Sequence, residues 1–369
     1  MTGAVTGAGV RYDEVGAWVV TAPDAVLAAF GHPALSSRTL HAAYADFIPV
    51  ANRSRFAHLV DVLGRWYVLS DGAEHAATRR AVAPMFAPGA IRRFTATLDD
   101  LAAETVAAFV ADGGGDAVGG LADVMSARTM AALLGLPTCE PARLHTWAAA
   151  LAAFFATPYR RACAQAAQDA LIELAGTVSR SAEDSLWARA GGDDTDRLAL
   201  CSLMVFGGLE TTAGLMGVCL WHMLGNGLTG RVAGPDGSAV AAEIVEQVLA
   251  QLPPLGHVAR VAAADTEVGG CPVRGGDLVL LSLTGTDPLV PVERPSVPPA
   301  HGADRKTHLA FGHGRHYCSG APLARAEAVA LLRAVAAAAP DAEVTAAEWG
   351  RNRTYHGFDE LRIRLVNAR

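Results

Sequence analysis

One cysteine stands among three glycines in the stretch Phe311-Gly312-His313-Gly314-Arg315-His316-Tyr317-Cys318-Ser319-Gly320. Glycine tolerates backbone conformations that other residues avoid, so this spacing predicts a tight loop that a flat ring can approach closely from one side. Helical spacing resumes at residues 322–338. Backbone amides of the loop and the N-terminal end of that helix are expected to stabilise a negative sulfur and to lower the pKa of Cys318. The stretch therefore predicts a thiolate ligand, and the alternative is a buried cysteine in a glycine-rich turn.

Length and composition indicate a globular, helix-rich chain. It has 369 residues, of which 51% are hydrophobic and 18% charged, which argues against disorder. The length allows one large domain or two ordinary ones. A formal net charge of −7 disfavours nucleic acid as a partner. The six cysteines lack the paired spacing that is typical of a disulfide framework or a zinc site.

The chain is expected to be cytoplasmic, with no membrane partner. Residues 1–12 show no basic segment followed by an apolar one, so we expect no secretory signal. Residues 198–224 are apolar enough for a membrane span, yet Gly207, Gly208 and Glu210 interrupt them. A buried central helix is predicted there instead.

Hydrophobic periodicity predicts a mostly helical middle, flanked by regions with short strands. Helices are predicted at residues 25–30, 91–111, 121–136, 143–155, 160–179 and 322–338. Strands are predicted at residues 18–21, 258–262 and 278–283. The proline-rich segment 288–306 is predicted to be a surface loop.

The cysteine stretch resembles the haem loop of the cytochrome P-450 superfamily. That loop follows the pattern Phe, Gly, any residue, Gly, any residue, His or Arg, any residue, Cys, any residue, Gly, and residues 311–320 match every fixed position. The resemblance implies a bacterial soluble haem-thiolate monooxygenase. Its cofactor would be haem b (iron protoporphyrin IX), with Cys318 as the axial ligand of the iron.

The same resemblance implies a mainly α fold, a triangular single domain with small β-sheets that spans residues 1–369. The β-containing corner would lie mainly in residues 10–70 and 255–285. The helical core would occupy residues 74–250, followed by the haem-ligand loop at 311–320 and the helix at 322–338. Further matches support coverage of nearly the whole chain: Leu35-Ser36-Ser37, the stretch from Ala131 to Pro137, Gly269-Gly270 and Gly276-Asp277.

The central helix carries the family's pattern for oxygen chemistry, Gly207-Gly208-Leu209-Glu210-Thr211. The resemblance implies that the two glycines bind the cofactor region by leaving a groove for dioxygen. It also implies that Glu210 and Thr211 are catalytic and relay protons. The alternative is an ordinary helix in which Thr211 bonds to its own backbone and Glu210 faces solvent.

Basic residues at family positions are expected to bind the haem propionates, because carboxylates prefer charge-assisted donors. His75 and Arg79 lie four residues apart, on one face of a predicted helix. Arg260 and His316 match further propionate-binding positions. The alternative for each is a solvated surface group. The cofactor-binding set implied by the resemblance is His75, Arg79, Gly207, Gly208, Arg260, Phe311, Gly312, Gly314, His316, Cys318 and Gly320.

The chain departs from the family where a Glu-x-x-Arg motif is expected. Gln247-Val248-Leu249-Ala250 occupies that place, and Glu246 stands one position early. Arg294, in the following loop, precedes Pro295 instead of an aromatic residue. The family's ion-pair core is therefore predicted to be missing. Apolar packing can replace such a core at little loss of stability, so haem binding would survive with a less tightly held cysteine loop.

The resemblance also places the substrate pocket. Its walls would come from the loop before His75, the central helix near Phe206 and Leu209, residues 255–259 and residues 356–358. The short chain favours an open pocket that admits a bulky or carrier-tethered substrate. Four basic side chains are candidates for binding polar substrate groups, with a solvated role as the alternative for each: Arg53, Arg55, His257 and His356.

The implied function is activation of dioxygen for oxidation of a small organic molecule, by hydroxylation or a related C–H oxidation or coupling, in natural-product biosynthesis. Electrons would come from a ferredoxin or flavodoxin and its reductase, docked on a face made basic by arginines: Arg79, Arg80, Arg92, Arg93, Arg315 and Arg325. Two alternatives stay open. One is a non-catalytic auxiliary protein that supports a partner biosynthetic enzyme, and the other is a haem enzyme that needs no redox partner.

Overall fold

Helices form where alanine, leucine and arginine dominate the sequence, because these side chains lose little freedom in a helix. The computed structural model describes residues 6–7, 9–14, 16–136, 141–179, 191–290 and 308–366. Within them the helices are α1 Pro23–Gly31, α2 Ser37–Phe47, α3 Ala57–Gly64, α4 Gly72–Val82, α5 Pro88–Ala111, α6 Asp123–Leu134, α7 Pro141–Ala156, α8 Arg161–Val178, α9 Asp194–Gly208, α10 Glu210–Gly225, α11 Thr229–Ala233, α12 Gly237–Gln251 and α13 Ala321–Ala338. A π-helical turn, Val118–Ala122, leads into α6.

Three small sheets accompany the helices in the described part of the chain. The strands are β1 Thr6–Gly7, β2 Val10–Tyr12, β3 Ala17–Val20, β4 Leu35–Ser36, β5 Gly114–Asp116, β6 His257–Ala262, β7 Thr266–Val268, β8 Cys271–Val273, β9 Leu278–Ser282, β10 Ala342–Trp349 and β11 Phe358–Leu365. The largest sheet has the order β1-β2-β3-β9-β6-β4, in which β3 and β9 pair in parallel. The others are the three-stranded sheet β10-β11-β5 and the pair β7-β8.

The long central helix is divided into α9 and α10 at Leu209. A capping box starts α9, where Asp196 N donates to Asp193 Oδ1 (2.9 Å) and Asp193 N to Asp196 Oδ2 (3.1 Å). By length and mean hydropathy (1.6) the pair Asp194–Gly225 resembles a membrane span, but 61% of its most apolar window is buried inside the fold. The prediction of a buried central helix is therefore confirmed.

Buried side chains form two main clusters that place the functional site between them. The larger cluster fills the space among the helices and includes Trp66, Trp147 and Phe154. The second joins α1 to the largest sheet, with Trp18 and Phe30 among its members.

The predicted helices agree with the structure to within a few residues, and the mainly α fold is confirmed. The β-containing corner needs correction, because residues 37–69 are largely helical and the strands of that part end at Ser36. The sheet β10-β11-β5 was not predicted at all. Pro137, Arg294 and most of the predicted loop 288–306 lie outside the described residues, and the single-domain organisation stays a prediction.

Candidate functional site

A cavity of about 310 Å³ lies between the break in the central helix and the cysteine loop. Ten of the predicted site residues line it: Arg79, Gly207, Gly208, Thr211, Arg260, Phe311, Gly312, His316, Cys318 and Gly320. Three others do not, namely His75, Glu210 and Gly314. The fold thus brings the two glycine-containing motifs, about a hundred residues apart in sequence, to opposite walls of one space.

The cysteine loop turns tightly on its glycines, as the sequence predicts. Gly312 (φ +69°) and Gly314 (φ +67°) adopt the left-handed conformation, which side chains disfavour. Cys318 N donates to the carbonyl of Phe311 (2.9 Å), which closes the loop. The Cys318 side chain lies deep in the molecule yet is exposed, because it faces the cavity. A planar group in the cavity can therefore reach the sulfur.

The predicted direction of the Cys318 pKa is wrong. Burial raises the pKa of the thiol, and the amides of Gly320 and Ala321, which donate to the sulfur, lower it by less than burial raises it. The amides are arranged as expected, but desolvation of a negative sulfur outweighs them. A metal ion deprotonates a thiol that coordinates it, and such a cation would reverse this balance.

The helix break supplies the opposite wall. Thr211 faces the cavity and donates its hydroxyl proton to the carbonyl of Gly207 (2.7 Å), which is the backbone contact weighed as an alternative from the sequence. A Cβ added to Gly207 would meet no atom within 4 Å, so the space beside this glycine is open. The hydroxyl oxygen of Thr211 keeps its acceptor capacity toward the cavity.

Glu210 points away from the cavity. Its Oε1 atom lies 4.0 Å from Nδ1 of His145, whose Nε2 lies 2.8 Å from the carbonyl of Asp123. Burial lowers the pKa of His145, but Glu210 and Asp123 raise it by more than burial lowers it, so the net shift of this pKa is upward. Burial also raises the pKa of the Asp123 carboxyl to about 6. His145 lies in no motif and comes near Glu210 through the packing of α7 against α9, so the sequence alone does not indicate it.

Comparison with known proteins decides the family. No protein-family model matches the chain. The cytochrome P450 monooxygenase PikC of Streptomyces venezuelae is 30% identical over 332 residues, which cover 81% of this chain and 76% of PikC. The chain belongs to the cytochrome P450 superfamily. The recognition drawn from the cysteine loop is thereby confirmed, and so is the haem b cofactor that this haem-thiolate family uses.

Other cytochrome P450 relatives agree. Nocardicin C N-oxygenase of Nocardia uniformis subsp. tsuyamanensis is 28% identical over 280 residues, 70% of this chain and 67% of that protein. The cytochrome P450 140 proteins of Mycobacterium tuberculosis and Mycobacterium bovis are 33% identical, but the match spans only 41% of their length. The solved structure of Mycobacterium smegmatis CYP164A2 has a TM-score of 0.76 and 26% identity, and covers 95% of this chain and 91% of that chain.

The basic groups beside the cavity fit the carboxylates of a P450 haem. Arg260 is buried, and burial lowers its pKa to about 10. Its Nη1 atom donates a hydrogen bond to the backbone carbonyl of Ala259 (2.7 Å). His75 is also buried, and its Nε2 atom has no partner among the described residues. Buried donors of this kind require acceptors, and two propionates supply them.

His316 connects this group to the cysteine loop. Its ring lies 4.2 Å from that of His75, and its Nε2 atom lies 3.4 Å from Ser37 Oγ and 3.5 Å from Asp71 Oδ1. Burial, followed by the charge of Arg260, lowers the pKa of His316 to about 3. The ring is therefore neutral at physiological pH and acts as a hydrogen-bonding group.

Expectations for the pocket walls need correction. Tyr67 and Val68, which precede His75, line the cavity as expected, and so do Phe206, Leu255 and Val258. Leu209 and residues 356–358 do not line it, and Tyr355 lines it instead. None of the four basic candidates for substrate binding reaches the lining. Their surroundings explain why: Arg53 pairs with Asp46 (3.0 Å), Arg55 bonds to Gln165 (2.6 Å), His257 is largely buried in β6, and His356 contacts the carbonyl of Pro253 (3.2 Å).

The expected loss of an ion pair behind the cysteine also needs correction. Glu246 receives hydrogen bonds from Arg325, at 2.5 Å from Nε and 3.2 Å from Nη2, and lies 3.3 Å from Nε2 of His308. Residues 247–250, where the family carries its Glu-x-x-Arg motif, do not match it, but Glu246, one position earlier, pairs with Arg325 of α13. Sequence spacing could not reveal this pair, because its members lie 79 residues apart.

One further cavity residue was missed. Glu327 of α13 is buried and lines the cavity, and burial raises its pKa to about 8. The hydroxyl of Thr129 lies beside it and lowers that pKa slightly. The available signal was a single acid on the apolar face of the predicted helix, next to Leu323, Ala328 and Leu331.

Proposed function

We propose that this P450 is a monooxygenase that oxidises a small, neutral organic molecule. The observation that carries the proposal is the cavity itself, with Cys318 on one wall, Thr211 on the opposite wall and the basic groups Arg79, Arg260 and His75 at its side. Bound haem supplies dioxygen activation, and a thiolate ligand favours cleavage of the O–O bond. In the overall reaction one oxygen atom enters the substrate and the other leaves as water, with two electrons from a donor and two protons.

The residues of the chain have distinct parts in this proposal. Cys318 would hold the iron, and Arg79, Arg260 and His75 would bind the propionates. Gly207 would leave room beside the helix break for dioxygen, whereas the space beside Gly208 is filled by Met130. Apolar walls exclude water from the rest of the cavity and strengthen the polar contacts inside it.

Proton supply would start at Glu210 and end at Thr211. The Glu210 side chain is 36% exposed and lies 4.0 Å from His145, so its carboxylate is open to solvent at the outer end of this path. The Thr211 hydroxyl donates to the carbonyl of Gly207, so its oxygen would be able to accept a hydrogen bond from a water molecule in the cavity and hold that water as the last proton donor of the path. Glu210 and Thr211 adjoin in sequence at the start of α10, which keeps the path short.

The cavity favours an apolar substrate. Outside the predicted haem-binding set its walls are mainly aliphatic or aromatic, as at Leu203, Met204 and Phe206. Phe206 packs at 5.1 Å from both Trp66 and Phe155, which makes this wall rigid. A relative named for N-oxygenation of nocardicin C supports a role in natural-product biosynthesis, with the substrate free or carrier-tethered.

Electrons would come from a ferredoxin or flavodoxin with its reductase. Two of the arginines expected on the docking face are engaged elsewhere, since Arg325 pairs with Glu246 and Arg315 bonds to the carbonyl of Leu35 (3.1 Å). Arg80 and its neighbours on α4 and α5 remain the basic groups that support docking of an acidic partner.

The test is the absorbance of purified, dithionite-reduced protein under carbon monoxide. A strongly red-shifted Soret band is expected for the native chain, and Cys318→Ala should abolish it. The matched control is Cys163→Ala, a partly buried thiol that contacts Thr157 and lies outside the cavity lining. A colourless native protein that refuses hemin would favour the auxiliary role. Product formed from peroxide without a reductase would favour a partner-independent enzyme.

A further inference from the structure

Glu246 of α12 is the centre of a three-membered polar cluster behind the cysteine loop. Its carboxylate accepts two hydrogen bonds from Arg325 and lies within ion-pair distance of His308. Burial raises the pKa of Glu246, but Arg325 and His308 lower it more, so the carboxyl is charged in the folded protein. The cluster is therefore a charged contact between separate elements.

The two partners of Glu246 lie on either side of the cysteine loop in sequence. His308 stands three residues before Phe311, and its Nδ1 atom accepts a hydrogen bond from Ala310 N (3.2 Å). Arg325 stands in the second turn of α13, seven residues after Cys318. One carboxylate thus connects the beginning of the loop, its end and a third helix.

A chain of contacts leads from this carboxylate to the sulfur-bearing residue. The guanidinium of Arg325 lies 4.5 Å from the ring centroid of Phe311, a cation–π distance. The carbonyl of the same Phe311 accepts the hydrogen bond from Cys318 N (2.9 Å). A displacement of Arg325 would therefore be felt at the backbone of Cys318 through one intervening residue.

The exposure of Arg325 and Glu246 indicates that their pair positions the loop and adds little to the stability of the whole fold. The side chains of Arg325 and Glu246 are 32% and 40% exposed. Ion pairs with this much access to water contribute little to the free energy of unfolding. Bidentate geometry nevertheless fixes the direction of the guanidinium plane, and hence the place of the Phe311 ring.

We propose that Glu246, through Arg325 and His308, is a positioning residue that holds the cysteine loop, in place of the absent Glu-x-x-Arg network. The inference rests on the proposed role of Cys318 as the haem ligand. The contacts that it concerns, those within residues 308–325, belong to the chain itself and can be tested with or without hemin.

The experiment compares Glu246→Gln with Glu343→Gln, a control that breaks an exposed pair with Arg364 on β10 and β11. Two measurements are made on the full chain: the reduced carbon monoxide spectrum with hemin, and amide hydrogen exchange of the segment 308–325 without it. We expect Glu246→Gln to lose the red-shifted band several-fold faster than native protein and to exchange Cys318 N–H several-fold faster. The control should match native protein in both.

A second variant guards against simple misfolding. Arg325→Lys keeps the charge but not the fork geometry or the stacking on Phe311, so it should give an intermediate rate of band loss, and Arg325→Ala the full effect. Unchanged exchange in Glu246→Gln would overturn the inference. A different result is possible, in which the native chain binds no hemin but Glu246→Gln still exchanges faster than the native chain. That result would contradict the proposed function and support the positioning role of Glu246.

Discussion

At the scale of single residues, Glu327 is the group whose ionisation opposes folding most directly. Burial raises its pKa from 4.5 to about 8, so the folded protein holds a proton that the unfolded chain releases. Between these values the unfolded state binds fewer protons, and stability falls as pH rises. The contribution of neutral Glu327 to the free energy of unfolding is fully present below about pH 4.5, and it declines by roughly 1.4 kcal/mol per pH unit toward pH 8.

Glu327→Gln should remove this decline, because the amide is neutral in both states and keeps the shape of the acid. The measurement is the free energy of unfolding in urea at pH 6 and pH 8 for the native chain and the variant. We expect the native chain to lose a few kcal/mol over this range and the variant to lose less. Glu343→Gln, which is exposed, serves as control. Equal losses in the native chain and Glu327→Gln would contradict the assignment.

Which site residues could be predicted depends on how local their requirements are. Gly312 and Gly314 adopt positive φ angles within the ten-residue loop that contains Cys318, so the conformation of this loop can be predicted from its own sequence. The pair of Glu246 and Arg325 is created by the packing of α12 on α13, and nothing within a few residues of either indicates the other. The direction of the Cys318 pKa was predicted wrongly for a related reason, because the burial that raises it is a property of the whole fold.

At the scale of elements, Gly208 sets the distance between α9 and α6. A methyl group at this position would overlap Cε of Met130, the flexible end of a side chain that also lines the cavity. In Gly208→Ala we therefore expect Met130 to turn into the cavity with little loss of melting temperature. Binding of a phenylimidazole probe, followed by its spectral shift on the hemin-loaded chain, should weaken several-fold.

Two further variants test the cause of that change. The double substitution Gly208→Ala with Met130→Ala removes the displaced side chain and should restore probe affinity. Gly217→Ala is the matched control, because a methyl group there meets no atom within 4 Å and the position does not line the cavity. The explanation fails if the double variant binds as weakly as the single one.

Elements were predictable where their signal is periodic and self-contained. The segments predicted at 91–111 and 322–338 differ from α5 and α13 by three residues or fewer, since apolar spacing alone defines an amphipathic helix. Sheet β10-β11-β5 escaped prediction because its third strand, Gly114–Asp116, is rich in glycine and acquires strand geometry only by pairing with residues 362–364.

At the scale of the whole molecule, the net negative charge opposes docking of an acidic redox partner, whereas the exposed arginine Arg80 favours it locally. The net charge of −7 would repel an acidic redox protein at long range. Arg80 lies beside the cavity-lining Arg79 on α4, is exposed, and donates a hydrogen bond to the carbonyl of Ala76 in its own helix (3.2 Å). It can therefore attract a partner without disturbing the cavity.

Arg80→Ser should weaken electron delivery more than the same charge change elsewhere. Because surface charges are screened within about 10 Å at 0.1 M salt, a local arginine outweighs the distant acidic surface, and its loss should raise the KM for a ferredoxin several-fold. Arg351→Ser, exposed in the loop after β10, is the control of equal charge. The measurement is haem reduction against ferredoxin concentration at low and high salt. The Arg80 effect should shrink at high salt, and equal effects of both substitutions would move the docking face away from α4.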